Sequence, residues 1–257
     1  MKKILFALVF ALFFAACSKN PYTHRQQLIL ISPQQEVRMG LQAEQQILRK
    51  SRISRNPSYN AMVRRVGKRI AQVAEVEFHP NYRWEFHVIE SPQINAFCLP
   101  GGKIFVYTGL LKLVENDDQL AAVIGHEVAH AILRHGSERV SIAMVSNLGK
   151  QLIAQGLQIS GRRWGPLYDL AYGVTTQYGI LFPYSRKFEY EADQLGLYLM
   201  YKACYKPEEA IRFWYKMMQA SRKKIPEFLS THPSDEHRIA MLQRYIKRLR
   251  KIQRNCP

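Results

Sequence analysis

Long apolar runs are absent from this sequence of 257 residues, apart from Ile4 to Ala16, whose 13 residues are too few to span a bilayer comfortably. The sequence thus lacks the long apolar segments that are typical of a polytopic membrane protein. No linker, repeat or low-complexity segment interrupts the chain, and 47% of its residues are apolar, which is enough for a substantial core. We expect a single domain over residues 17–257.

The beginning of the chain predicts export. Lys2 and Lys3 precede the apolar run, which ends in small residues before Cys17, as in a lipoprotein signal peptide. We expect residues 1–16 to be removed and Cys17 to carry the lipid, the alternative being an uncleaved anchor. Ser18 after the cysteine resembles the pattern of outer-membrane lipoproteins. The predicted localisation is thus a bacterial cell envelope, with a domain that faces the periplasm.

Acidic residues are also scarce, with 20 Asp and Glu against 37 Lys and Arg and a formal net charge of +17. Such an excess can indicate nucleic-acid binding, but export argues against that partner. Many cations lie in residues 244–251, where Tyr245, Ile246 and Leu249 give a helix one apolar face. These cations are either the solvated side of the helix or a surface attracted to anionic membranes, and the sequence favours neither reading.

The most informative motif is His-Glu-Val-Ala-His at residues 126–130, within the apolar run 120–133. Its flanks predict a buried helix, and residues four apart share a helix face, so His126 and His130 can bind one metal ion. Burial of two histidines and a glutamate without partners is costly, which favours the metal site over a chance match. Glu127 would lie beside the metal, where it can take a proton from a zinc-bound water.

Two histidines leave a catalytic zinc site one protein ligand short. Glu189, Glu191 and Asp193 crowd a segment whose apolar residues have helical spacing. One of these carboxylates is expected to face inward; Glu189 and Asp193 are four apart and share a face, so if Glu189 binds zinc, Asp193 can accept a hydrogen bond from a ligand histidine. Glu191 is expected to be solvated and paired with Arg186 or Lys187.

The remaining pattern is mostly helical. Tyr82 to Ile89 and Lys103 to Tyr107 are predicted strands, and an edge beside the metal could pair with an extended peptide. Asn95 near that edge either bonds substrate or forms a turn. Asp117 or Asp118 is expected to cap the histidine helix. Helices are predicted over 34–50, 57–76, Ser137 to about Tyr178, 186–203, 207–221 and 234–253. The apolar stretch from Trp164 to Phe182 is read as a packed hairpin, with lipid contact as the alternative.

Four segments together resemble the HtpX and CAAX-prenyl-protease family of zinc endopeptidases, namely residues 95–111, 126–130, 189–193 and 231–234. Within that family the likeness is strongest to the soluble type found in the mitochondrial inner-membrane stress protease with overlapping activity and in periplasmic lipoproteins such as BepA. The resemblance implies an α+β, mostly helical zincin (gluzincin) fold with a small β-sheet next to the zinc-binding helix.

The resemblance also implies roles for individual residues. By this resemblance, the ligands of one Zn²⁺ per chain are His126, His130 and Glu189, and the general base is Glu127. Asp193 corresponds to the aspartate that supports the ligands in the family. His232 matches a family element near the site and is either an oxyanion donor or a fourth ligand that holds the enzyme off, the alternative being a surface histidine.

The cysteines follow from export and from the same likeness. Three remain after Cys17, so one bridge can form, and the likeness to the mitochondrial type supports the pair Cys204 and Cys256, with Cys98 left as a thiol.

The predicted function is zinc-dependent endopeptidase activity on unfolded, misfolded or misassembled envelope proteins, at a membrane reached through the lipid anchor. The alternative is a metal-stabilised chaperone or binding lipoprotein with little turnover.

Overall fold

The helix that carries the histidine motif lies at the centre of the fold. In the computed structural model this helix, α4, runs from Asp117 to Ile132, and every residue from Gln119 onward is buried. The predicted cap at Asp117 or Asp118 is wrong, because the side chain of Asn116 accepts the hydrogen bond from the backbone of Gln119. The two aspartates lie in the first turn, where their negative charge interacts favourably with the helix dipole.

The structure describes residues 17–154, 186–221, 228–229, 232, 236–254 and 256. The predicted signal over residues 1–16 lies outside this part, as does the apolar stretch from Trp164 to Phe182. Cys17 begins a strand, and its predicted acylation stays a prediction.

The described helices match the predicted ones within a few residues, except that Thr108–Leu111 was not predicted and that the helix predicted from Ser137 to about Tyr178 is described only to Ala154. They are α1 (Pro33–Lys50), α2 (Pro57–Phe78), α3 (Thr108–Leu111), α4, α5 (His135–Ala154), α6 (Arg186–Lys202), α7 (Glu208–Ser221) and α8 (Glu236–Leu249). Among the described residues, no helix combines the length and apolar character that crossing a bilayer requires. The expectation of an α+β, mostly helical fold is confirmed.

A three-stranded sheet lies beside α4. Its order is β3 (Glu85–Ile89), β5 (Lys103–Tyr107) and β4 (Ala96–Leu99), with β3 parallel and β4 antiparallel to β5. Strand β4 was not predicted, because four residues with a half-buried middle carry no clear alternation. It forms the sheet edge that packs against α4.

A short N-terminal hairpin was also not predicted. It consists of β1 (Cys17–Lys19) and β2 (Gln26–Leu28), which pair antiparallel. Strands of three residues are too short to show a hydrophobic period, so no pattern predicts them.

The C-terminal segment is tied to the end of α6 by a disulfide between Cys204 and Cys256, whose Cα atoms lie 5.6 Å apart. Cys98 is a thiol and is partly buried.

Helices α4 and α6 cross at two glycines. A Cβ atom on Gly125 would lie 2.8 Å from the carbonyl oxygen of Gly196, and one on Gly196 would lie 2.8 Å from the backbone nitrogen of His126. Both obstacles are backbone atoms, which cannot rotate away as a side chain can. The absence of Cβ atoms therefore sets how closely the two helices approach.

We expect Gly196→Ala to lower the free energy of unfolding by about 1–3 kcal/mol, because the added methyl group forces α6 away from α4. Urea unfolding of the metal-free protein measures this. Gln194→Ala, two residues earlier on the same helix and only partly buried, is the matched control and should change little. Equal stability of both variants would contradict the close crossing.

Candidate metal centre

Four side chains offer ligand atoms that all lie within 4.8 Å of one another: His126, His130, Glu189 and His232. Each of the four is at most 4% exposed. The first two come from α4, Glu189 comes from the first turn of α6, and His232 lies before α8. The structure thus brings together residues that are far apart in the sequence.

The distances between these atoms fit a zinc ion. Nε2 of His130 lies 3.1 Å from Nε2 of His126, and the Glu189 oxygens lie 3.4 Å and 3.5 Å from these two nitrogens. Ligand atoms about 2.1 Å from zinc at tetrahedral angles are about 3.4 Å apart. The residues present therefore fit the metal that their chemistry suggests.

His232 completes the donor set. Its Nδ1 lies 3.3 Å from Nε2 of His126 and 3.2 Å from Oε1 of Glu189. Its ring packs on Phe228, with centroids 4.7 Å apart. The alternative of a surface histidine is wrong, because His232 is 3% exposed.

Glu127 lies beside the donors and outside their set. It is buried, and within the described part of the chain its Oε1 has no hydrogen-bond partner, the Nε2 of His232 being 3.5 Å away. Burial raises the pKa of this carboxyl, against the opposing charges of His232 and His126. A buried carboxylate oxygen without a partner is rare in proteins and marks Glu127 as a candidate reactive group.

Asp193 orients the first ligand. Its Oδ1 lies 3.0 Å from Nδ1 of His126, so Nδ1 donates to the carboxylate and Nε2 is directed toward the donor cluster. Burial alone would lower the pKa of His126, but its hydrogen bonds with Asp193 and Glu189 raise it to about 9. A raised pKa means that a proton competes with zinc for Nε2 of His126.

Arg238, from α8, balances the carboxylates and was missed by the sequence analysis. Its Nη2 donates to Oδ1 of Asp193 at 2.8 Å, and its Nη1 lies 3.0 Å from Oε2 of Glu189. The guanidinium stacks over Trp214 at 4.5 Å. Burial opposes ionisation of Glu189, yet the charges of His232 and Arg238 hold its pKa well below the usual range.

A signal for Arg238 was present in the sequence. It lies four and eleven residues before Leu242 and Leu249, on the apolar face of the amphipathic helix. A cation on a buried face requires a carboxylate partner.

The prediction that Glu191 is solvated is wrong. The residue is 6% exposed, and its carboxylate lies 3.0 Å from Nε2 of His135 and 3.0 Å from Nη2 of Arg25. Arg186 and Lys187 are exposed. Glu191 is directed inward because His135 and Arg25, from other parts of the fold, bind its carboxylate there.

Residues 57–246 match the model of peptidase family M48. The chain belongs to this family. The match covers both histidines of α4, all of α6 and most of α8, so it includes every donor described above. The resemblance expected from the sequence is confirmed.

Several relatives of this M48 chain are metalloendopeptidases by name. It is 34% identical to the mitochondrial metalloendopeptidase OMA1 of Schizosaccharomyces pombe, over 88% of this chain and 65% of that protein. Identity is 39% to OMA1 of Homo sapiens, over 68% of this chain and 35% of that protein. It is 26% to the β-barrel assembly-enhancing protease of Escherichia coli, over 85% and 45%. The chain thus matches from about a third to two thirds of the length of these relatives.

The predicted localisation in a bacterial cell envelope, as a periplasm-facing outer-membrane lipoprotein, is contradicted by these comparisons. Relatives that match over most of this M48 chain, including the Schizosaccharomyces pombe protein, are mitochondrial. The prediction failed because a charged start, an apolar run and a cysteine do not fix a compartment by themselves.

We expect Arg238→Met to destabilise the metal-free protein by about 3–5 kcal/mol, because it leaves two buried carboxylates without their cation. Arg250→Met is the matched control on the same C-terminal segment. Arg250 pairs with Glu208 at 2.7 Å, but both side chains are solvent-exposed, so its loss should cost about 0–1 kcal/mol. Thermal unfolding measures both, and similar losses would refute the compensating role of Arg238.

Proposed function

We propose that this chain is a zinc endopeptidase that cleaves unfolded, misfolded or misassembled proteins. The observation that carries the proposal is the buried cluster of His126, His130 and Glu189 with the unbonded carboxylate oxygen of Glu127 beside it. Membership of peptidase family M48 and the metalloendopeptidases among its relatives support the same activity.

His126, His130 and Glu189 would hold the metal. Zinc, when bound there, supplies a Lewis acid that polarises the scissile carbonyl and acidifies water. Glu127 takes the proton from the attacking water and then delivers it to the leaving amine. Its raised pKa suits the first step, because a carboxylate whose acid has a higher pKa is a stronger base toward the attacking water.

Substrate would lie along the outer edge of β4. The backbone N–H of Cys98, within this strand, donates a hydrogen bond to the carboxylate of Glu127, so this strand is adjacent to the proposed general base. Pairing through backbone groups tolerates many side chains and requires an extended peptide, which supports unfolded segments as substrates. The contacts of Asn95 favour the turn role. Its Oδ1 accepts a hydrogen bond from the backbone N–H of Ala96, and its carbonyl oxygen accepts one from the backbone N–H of Tyr107.

The two roles of His232 have unequal support. With Nδ1 inside the donor set, this histidine takes the place that a reacting water needs, which favours the role of a fourth ligand that restrains activity. Cleavage then requires His232 to move aside. As an oxyanion donor it would instead point a protonated nitrogen at the substrate carbonyl.

Glu127→Gln should bind zinc as the native chain does and cleave casein about 10²- to 10⁴-fold more slowly, because the amide cannot accept the proton. Zinc content and casein cleavage are measured on the same preparations. Glu90→Gln, at an exposed glutamate paired with Arg52, is the control. Equal cleavage by Glu127→Gln and native protein would refute the general base, and zinc binding without any cleavage by native protein would favour the metal-stabilised binding protein.

His232→Ala separates the two roles of this residue. Removal of a restraining ligand should increase casein cleavage at saturating zinc, whereas removal of an oxyanion donor should decrease kcat by about 10²- to 10³-fold. The proposal predicts the increase. A fall in kcat with unchanged KM would contradict it.

A further inference from the structure

The second ligand histidine is oriented by another histidine. Nδ1 of His130 lies 2.8 Å from Nδ1 of His135, the first residue of α5, and Nε2 of His135 lies 3.0 Å from Oε2 of Glu191. His135 is fully buried and stacks on Phe188, with ring planes 5° apart and centroids 4.4 Å apart. The stacking fixes the plane in which its two nitrogens can bond.

Zinc binding through Nε2 of His130 would by itself determine where the protons lie along the hydrogen bonds from His130 to His135 and Glu191. A histidine that binds zinc through Nε2 carries its proton on Nδ1 and must donate from there. His130 therefore donates to Nδ1 of His135, which accepts. The proton of His135 is then on Nε2, from which it is donated to the carboxylate of Glu191.

We infer that Glu191 and His135 form a relay that fixes the tautomer and the ring orientation of His130, and that Arg25 of the N-terminal hairpin anchors the relay. This inference rests on the proposed zinc site. His135, Glu191 and Arg25 are positioning residues, since none of them belongs to the donor set. They do for His130 what Asp193 does directly for His126.

Arg25 connects the relay to the start of the chain. Its guanidinium bonds both oxygens of Glu191, and its two terminal nitrogens bond Glu138 of α5 at 2.6 Å and 2.7 Å. The side-chain amide of Gln27, in β2, donates to Glu138 at 2.8 Å and to the carbonyl oxygen of Leu133 at the end of α4. The hairpin is therefore part of the architecture that supports the metal.

The test is the zinc dissociation constant, measured by competition with a chelator on the full chain. His135→Phe keeps a flat ring beside Phe188 but removes both hydrogen bonds, and should weaken zinc binding by about 10- to 100-fold. His135→Asn keeps an acceptor near the position of Nδ1 and should restore most of the affinity. Glu36→Gln, which removes the buried partner of Arg134 at the same end of α4, should leave the constant unchanged.

The outcomes separate this inference from the proposed function. Native affinity in His135→Phe, or equal weakening by Phe and Asn, would overturn the relay while native zinc binding and Glu127-dependent cleavage stand. Absence of zinc binding by the native chain would overturn the proposed function itself.

A second measurement needs no variant, so misfolding cannot obscure it. Long-range ¹H–¹⁵N spectra of the zinc-loaded native protein should show His135 protonated on Nε2 and His130 protonated on Nδ1. A proton on Nδ1 of His135 would overturn the inference.

Discussion

Compensation of buried negative charge governs the architecture around the histidine motif. Glu127, Glu189, Glu191 and Asp193 are all at most 6% exposed, and carboxylates in such surroundings are stable only when cations or hydrogen-bond donors face them. Arg238 forms salt bridges with Glu189 and Asp193, and Arg25 forms one with Glu191. Of these four carboxylates, only Glu127 has a buried oxygen without a hydrogen-bond partner in the described part of the chain, which distinguishes it from its neighbours.

The compensating cations come from the two ends of the described chain. Arg25 belongs to the N-terminal hairpin, and Arg238 belongs to α8 near the C-terminus. Helices α4 and α6 supply the ligands in the middle of the sequence and approach closely at Gly125 and Gly196. The terminal segments therefore complete the site electrostatically, although neither contains the motif that identifies it.

Much of this arrangement followed from the sequence, because helical period and metal chemistry are local. The spacing of His126 and His130 set a shared face, and the four-residue step from Glu189 to Asp193 set another. The inward turn of Glu191 could not be predicted, since it depends on Arg25 and His135, which reach it only through tertiary packing. Strands β1, β2 and β4 were missed because three or four residues carry no period, and the role of Arg238 required weighing one cation on an apolar helix face.

The disulfide between Cys204 and Cys256 encloses a sequence separation of 52 residues. Both His232 and Arg238 belong to the enclosed stretch, and Cys204 lies two residues after the end of the helix that carries Glu189. The bridge joins the two ends of this stretch to each other, and a loop closed in this way has fewer conformations than an open one. The movement of His232 that the proposed function requires would therefore take place within a loop whose two ends are covalently joined.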